Sequence, residues 1–342
     1  MSEHVHEVAV VGAGPIGLEL AVALKRAGID YVQFDAKQIG HTMTWWAPQT
    51  RFFSSNERIA ISGVPLLTPD QSKATREQYL TYLRTVVETF DLQVRTFEPV
   101  VGLNKVGDGF ELTTRPRGGE RVTRARKIIL ATGGTDRPRY LSVPGEDLPH
   151  VSHYFQDPHT YFHQRVFVVG GKNSAVEAAL RCHHAGAHVS LSYRRPGLPE
   201  GEIKYWLVPE ARGLIKSGRM PAYFNSTVTH ITPTHVHLNV NGDAVSVEAD
   251  FVLLMTGYVQ DNTLLKLAGV ATEGACQLPL FDPKTMETTI PGLYLAGTAV
   301  GGTQDKYKVF IENCHDHVEK ILAHAFGRSA EVNRVRVDLP ES

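Results

Sequence analysis

Cysteine is scarce in this chain of 342 residues, and the three that occur, Cys182, Cys276 and Cys314, stand far apart. There is no CxxC pair and no disulfide-scaffold spacing, so a reduced, cytoplasmic protein is expected. No apolar run approaches the roughly 20 residues of a membrane span, and the opening segment through Glu7 is polar rather than signal-like. An excess of one charge is missing too. Lysine and arginine number 35 against 36 acids, which leaves no electrostatic footprint for nucleic acid or an anionic membrane. Sixteen histidines occur, but none in HExxH spacing. His4/His6, His183/His184 and His315/His317 are pairs with no third ligand in the vicinity, so no metal is expected. SxxK, GxSxG and paired-carboxylate arrangements are absent, which excludes the familiar hydrolases.

The length suits about two domains. One order of elements occurs twice: strand, glycine-rich turn, helix, strand. Val8–Val11 is a short continuous apolar run of the kind buried on both faces of a parallel sheet. Gly12-Ala13-Gly14-Pro15-Ile16-Gly17 follows, then a helix from Leu18 to Ala27 closed by Gly28, and a strand Tyr31–Phe34 with Asp35 at its end. The second copy has a strand Val166–Val169, the turn Gly170-Gly171-Lys172-Asn173-Ser174-Ala175 and a helix Val176–His184. A strand Val189–Ser192 leads from there into Tyr193-Arg194-Arg195. Between the copies, Arg76–Phe90 reads as an amphipathic helix with Tyr79, Leu80, Leu83, Val86 and Val87 on its apolar face, and an antiparallel meander includes Phe110–Thr114. Strands ending in glycine recur at Lys127–Gly134, Phe251–Gly257 and Leu293–Gly297. A last helix is expected over roughly Phe310–Ala325, and the polar tail after Gly327 reads as a loose surface segment.

Gly12, Gly14 and Gly17 match GxGxxG between a strand and a helix. The first glycine permits the tight turn, the second lets a pyrophosphate approach the backbone, and the third allows close helix–sheet packing. The anion would sit on the helix N-terminus, and Asp35 is placed to accept hydrogen bonds from a ribose. In the second turn Lys172 takes the middle glycine position and Ala175 the last. Arg194 and Arg195 stand where an acid would hold a ribose hydroxyl, which suits the 2′-phosphate of NADPH over NADH. The competing reading of that pair is a solvated strand end.

Together these residues resemble the two-dinucleotide flavoproteins, with Ala131-Thr132-Gly133 similar to their interdomain crossing. Gln49–Ser55, His153-Tyr154-Phe155, Gly170–Ala175, Ile203-Lys204 with Trp206, and Phe310–Asn313 narrow the resemblance to the bacillithiol-disulfide reductases, or bacilliredoxin reductases, relatives of thioredoxin reductase. It runs from about Val8 to about Ala325. It implies an α/β fold of two Rossmann-like (three-layer ββα) dinucleotide-binding domains, thioredoxin-reductase-like. Residues 1–136 with 259–342 would form a discontinuous FAD-binding domain, and 137–258 an NADPH-binding domain. FAD would lie on Gly12, Gly14, Pro15, Ile16, Gly17, Asp35, Ala131, Thr132, Gly133, Gly297, Thr298 and Ile311. NADPH would lie on Gly170, Gly171, Lys172, Asn173, Ser174, Ala175, Tyr193, Arg194, Arg195 and Gly257. The resemblance further implies a homodimer or homotetramer, a domain rotation between half-reactions, and a small-molecule or redoxin-type electron acceptor.

Two positions depart from that pattern. Ile16 stands where family members often carry a loop cysteine, and an aliphatic side chain forms no mixed disulfide. Thr298 stands where many relatives have Asp, and its hydroxyl still hydrogen-bonds. Among the cysteines, Cys182 reads as a packing residue and Cys276 as a loop residue. Cys314, near the start of the last helix, is the one catalytic candidate, because a thiolate at a helix N-terminus has a lowered pKa; a small buried thiol explains it equally. The positive helix end near Phe310–Asn313 would stabilise a reduced flavin. Met43 with Trp45-Trp46 reads either as flavin-stacking aromatics or as core, and Lys204 as an anion contact or a plain surface lysine. The expected reaction is hydride transfer from NADPH to FAD and on to a disulfide such as bacillithiol disulfide or a bacilliredoxin. The alternatives are a thiol-free reductase serving ferredoxin or another carrier, a flavin monooxygenase, and a non-catalytic NADPH sensor.

Overall fold

The computed structural model describes residues 4–304 and 308–332. The chain divides into two compact units. The first comprises Met1–Thr44, Gln49–Arg137 and Val259–Ser342, and the second Trp45–Pro48 and Pro138–Tyr258.

In the first unit, the strand Val5–Val11 lies between Tyr31–Phe34 and Arg121–Leu130, parallel to both. Leu293–Leu295 adds in parallel to Arg121–Leu130. Val8, Ala9 and Val10 are fully buried, as a central parallel strand requires. The first half of Arg121–Leu130 also pairs antiparallel with Gly109–Thr114, which pairs with Val100–Val106, forming the expected meander. The helix Pro15–Arg26 packs on the last helix, His315–Phe326. Arg76–Thr89 starts with a capping box between Thr75 and Gln78 and buries Tyr79, Tyr82, Leu83 and Val86. Leu80 and Val87 are half-buried, and Tyr82 joins the buried face, its hydroxyl finding backbone partners at Ile61 and Val64.

The second unit repeats the plan. Its parallel sheet runs Ala222–Phe224, His188–Tyr193, Arg165–Val169, Phe251–Leu254, Val151–Ser152. A meander of Ser226–Ile231, His235–Val240 and Asp243–Glu248 accompanies it. The helix Asn173–His184 follows the glycine turn and buries Ala175, Val176, Ala178, Ala179 and Cys182.

The structure differs from the sequence reading at two ends. Phe310–Asn313 is not helical in the α sense. Ile311–Asn313 forms a 3-10 turn and the helix starts at His315. The Asn313 side chain accepts from Phe310 N at 2.8 Å and donates to the Lys308 carbonyl at 2.7 Å, and such local bonds compete with helix formation. The tail is not wholly loose, since Ala330 packs in the core and Arg26 pairs with Glu331 at 3.4 Å; residues 333–342 lie outside the described residues.

Candidate functional site

Each unit carries one glycine-loop site. In the first, Gly12 takes φ +113, and a Cβ there would stand 2.3 Å from the Ala131 carbonyl oxygen. The Gly12 amide donates to the Phe34 carbonyl and the Ala131 amide to the Val11 carbonyl, so the turn lies against Ala131-Thr132-Gly133. A Cβ on Gly17 would meet the Gly12 oxygen at 2.2 Å. Nothing lies within 4 Å of a Cβ built on Gly14. Gly14 is the N-cap of the helix, no side chain caps it, and Pro15 occupies the first turn. An uncapped helix N-terminus facing open space fits a pyrophosphate.

Asp35 belongs to this loop. Its Oδ2 accepts from Ala13 N at 2.7 Å and its Oδ1 from Lys37 N at 2.8 Å. Burial nevertheless pushes its carboxyl up from the usual range, against those two amides. Gln33, a residue the sequence reading passed over, is fully buried. Its Nε2 donates to the carbonyls of Gly12 and Gly17, both at 2.9 Å, and ties the two ends of the turn together. A polar residue inside Tyr31–Phe34 was its signal.

Gly297 and Thr298 close the same site. Gly297 has φ +67, and a Cβ there would touch Ile16 at 3.3 Å. Its amide donates to His317 Nδ1 at 3.2 Å. Thr298 Oγ1 accepts from Gly134 N at 2.9 Å, so this hydroxyl orders the loop after Gly133. Burial holds the His317 ring well below the ordinary value, at about 4, so it stays neutral and keeps the lone pair that Gly297 uses. Ile311 is half-buried and packs against the unit's core.

Of the two readings of Cys314, the structure supports the small buried thiol. It is fully buried in the hydrophobic core, and burial pushes its thiol well above the usual value. Desolvation outweighs the helix end. Cys182 is buried as well, with its thiol pushed up to about 12, and Cys276 is half-buried.

In the second unit Gly170 takes φ +141, where a Cβ would stand 2.5 Å from the Met255 oxygen, and a Cβ on Gly171 would enter the Tyr193 ring at 2.4 Å. Lys172 is the N-cap of the helix Asn173–His184, with no side-chain cap and extended backbone that any residue adopts. Ser174 is exposed on the first turn and Ala175 is buried. Asn173 Oδ1 accepts from Lys204 N at 2.8 Å, which ties the loop around Lys204 to the helix start. Lys172 Nζ and Arg195 Nη1 both reach the carboxylate of Glu202, at 2.9 and 3.1 Å. Those two cations hold Glu202 below the usual carboxylate range. Arg194 is exposed, as is Gly257. The four-residue segment Trp45–Pro48 belongs to this unit, not to the first as the sequence boundaries had it. Arg181 Nη2 donates to the Pro48 carbonyl, and the Trp45 ring lies 5.6 Å from Tyr154 and 5.9 Å from Tyr258. The sequence showed the tryptophans but not their contact with the two tyrosines, which lie more than 100 positions away.

One histidine pair also departs from expectation. His4 and His6 do have a third potential ligand nearby, Asp30.

Two glycine loops, each joining a buried parallel strand to a helix, define a two-dinucleotide oxidoreductase. The profile of the pyridine nucleotide-disulphide oxidoreductase family matches residues 9–297, and the chain belongs to that family. The chain is 35% identical to the bacilliredoxin reductase Bdr of Bacillus subtilis (strain 168), over 92% of this chain and 95% of that one. It is similar to the solved bacillithiol disulfide reductase Bdr of Bacillus cereus, with a TM-score of 0.90 and 34% identity over 94% of this chain and 99% of that one. The fold is shared with the thioredoxin reductase of T. acidophilum, with a TM-score of 0.74 and 21% identity over 95% and 99% of the two chains. The protein is therefore an enzyme dependent on FAD and a pyridine nucleotide, NADPH. Among the described residues no helix is long and apolar enough to cross a membrane.

Proposed function

We propose that the chain is an NADPH-dependent disulfide reductase whose acceptor is bacillithiol disulfide or a bacilliredoxin, and that it works without a thiol in the flavin loop. The first unit holds FAD on Gly12–Gly17, Asp35, Ala131–Gly133, Gly297, Thr298 and Ile311. The second holds NADPH on Gly170–Ala175, Tyr193, Arg194, Arg195 and Gly257. When bound, FAD supplies two-electron chemistry between the nicotinamide and the acceptor. The chain's own residues bind and orient. Gly14 and the uncapped helix start receive the pyrophosphate, Asp35 retains lone pairs for a ribose, and His317 fixes the Gly297 backbone. In the second unit Lys172 and Arg195 supply the positive charge that a 2′-phosphate needs. A cytoplasmic homodimer or homotetramer completes this reading; the scarcity of cysteine supports the reducing compartment.

The observation that carries the thiol-free route is Ile16. It fills the loop position against Gly297, and the one cysteine near a helix start, Cys314, is buried and protonated. The same observation favours a second reading, in which a protein electron carrier such as ferredoxin replaces the disulfide. Anaerobic stopped-flow absorbance at the flavin band separates them. The enzyme is reduced with NADPH and then mixed with bacillithiol disulfide. Reoxidation within turnover time supports the disulfide reductase. Bleaching that persists with the disulfide and reverses with ferredoxin supports the carrier reading.

A further inference from the structure

Away from both glycine loops, the described residues bring one set of metal-ligating donors together. His4 and His6 are two apart at the start of the first strand, so both side chains leave on the same side. The first and second strands run parallel with Val8 beside Tyr31, which sets Asp30 alongside the first strand. Asp30 Oδ2 lies 2.9 Å from His4 Nε2 and 2.9 Å from His6 Nδ1. The three donor atoms all lie within 4.8 Å of one another, and the two rings meet edge to face with centroids 4.4 Å apart.

We propose that His4, His6 and Asp30 form a binding site for a divalent transition ion of the zinc class. Two imidazole nitrogens and one carboxylate oxygen suit Zn²⁺, Ni²⁺, Co²⁺ or Cu²⁺, whereas Mg²⁺ and Ca²⁺ prefer all-oxygen shells. Bonds of about 2.0–2.1 Å to a tetrahedral ion place neighbouring ligand atoms roughly 3.3 Å apart. The His4 and Asp30 side chains, 67% and 47% exposed, have room for the small adjustment this requires. Each ring points an N–H at Asp30 when neutral. Binding uses the lone pair of the same nitrogen of the neutral ring, with the proton on the other ring nitrogen. Solvent completes the shell on the open side.

The site lies eight residues before Gly12, about 26 Å along the strand. A bound ion therefore clips the start of the first strand to the turn before the second and leaves the cofactor loops alone. Untagged holoenzyme, stripped with chelator, is dialysed against low-micromolar Zn²⁺, and bound zinc is measured per chain beside His6→Asn and Asp30→Asn. The expected result is one more zinc in the parent than in either variant. A zinc-dependent rise in Tm should appear in the parent alone, with the flavin spectrum and NADPH reduction the same in all three. Equal zinc content in all three proteins, or an equal Tm response, overturns the proposal. The Asp30 side chain is 47% exposed and the His6 ring 17%, so Asp30→Asn reads the site even where His6→Asn costs stability.

Discussion

His315 Nδ1 lies 2.7 Å from Glu19 Oε2, and its Nε2 lies 2.9 Å from the Arg58 carbonyl. With Glu19 ionised both partners are acceptors, so both ring nitrogens donate and the charged form of the ring is favoured. Burial opposes that charge, but the hydrogen bond and charge of Glu19, with the Arg58 carbonyl, prevail and raise the His315 pKa. Arg58 in turn pairs with the buried Glu312 at 3.7 Å, and Asp316 adds a weaker attraction. The network links the helix Pro15–Arg26, which starts at the first glycine loop, to the last. Glu19→Gln leaves a buried cation unpaired and is expected to cost about 3 kcal/mol. A raised histidine contributes stability that is full below its unfolded pKa of about 6.5 and is lost as pH rises through the folded value. The Tm gap between parent and variant should therefore be wide at pH 6 and narrow at pH 9. An equal gap at both would sink the assignment.

Both glycine loops were legible in the sequence because the motif spacing is local, although the atoms that enforce it at Gly12 and Gly170, on Ala131 and Met255, are distant in the chain. Gly12, Gly17, Gly170 and Gly171 each face an atom that a Cβ would strike, and strand and helix stand at fixed offsets around them. What escaped was long-range. Gln33 matters because its amide spans the ends of a turn some 20 residues earlier, and Glu202 because a loop returns it to Lys172 and Arg195. Trp45 finds Tyr154 and Tyr258 only after folding, as His4 and His6 find Asp30. Cys314 left two readings open for the opposite reason. A helix start was visible in the sequence, but the desolvation that governs the thiol is a property of the packed core.

Serine at all three cysteine positions tests the thiol-free route. With Cys314 and Cys182 buried and protonated, disulfide reduction in the Cys182→Ser, Cys276→Ser, Cys314→Ser protein should stay within about threefold of the parent at pH 7. A loss of about 100-fold in kcat with NADPH-driven flavin bleaching intact would place a thiol back in the reaction.

Gly171→Ala puts a methyl group into the Tyr193 ring. Overpacking of that kind costs about 2 kcal/mol. NADPH affinity should fall while flavin content per chain is unchanged, as read by nucleotide titration and the flavin absorbance. Normal NADPH affinity in a folded variant would mean that the ring is not held against the loop.

His317 responds to acid in the opposite sense to His315. Its folded pKa lies below the unfolded one, so its contribution to stability is present above about 6.5 and is lost as pH falls toward its folded value of about 4. Protonation removes the lone pair that holds Gly297 N. FAD release, followed by its fluorescence, should rise as the holoenzyme is taken from pH 6.5 to 4. His317→Ala should lose FAD already at pH 7, whereas His317→Gln, whose amide oxygen can accept, should recover part of it. Identical release profiles for all three would remove His317 from flavin retention.

Glu202 occupies the charge that a cofactor phosphate would use. Its carboxylate is shared by Lys172 and Arg195, so a 2′-phosphate bound by these cations would displace it, whereas NADH brings no phosphate to make the exchange. Arg195→Ala should raise the KM for NADPH by about tenfold and leave that for NADH nearly unchanged. Glu202→Gln removes the internal competitor and should lower the Kd for NADPH by about fivefold, again with little effect on NADH. Direct binding under anaerobic conditions, without acceptor, reads both constants independently of turnover. If Glu202→Gln weakens NADPH, the carboxylate orders the two cations for the phosphate instead of competing with it. If both variants affect the two nucleotides equally, the 2′-phosphate is read elsewhere, and Arg194 is the next side chain to change.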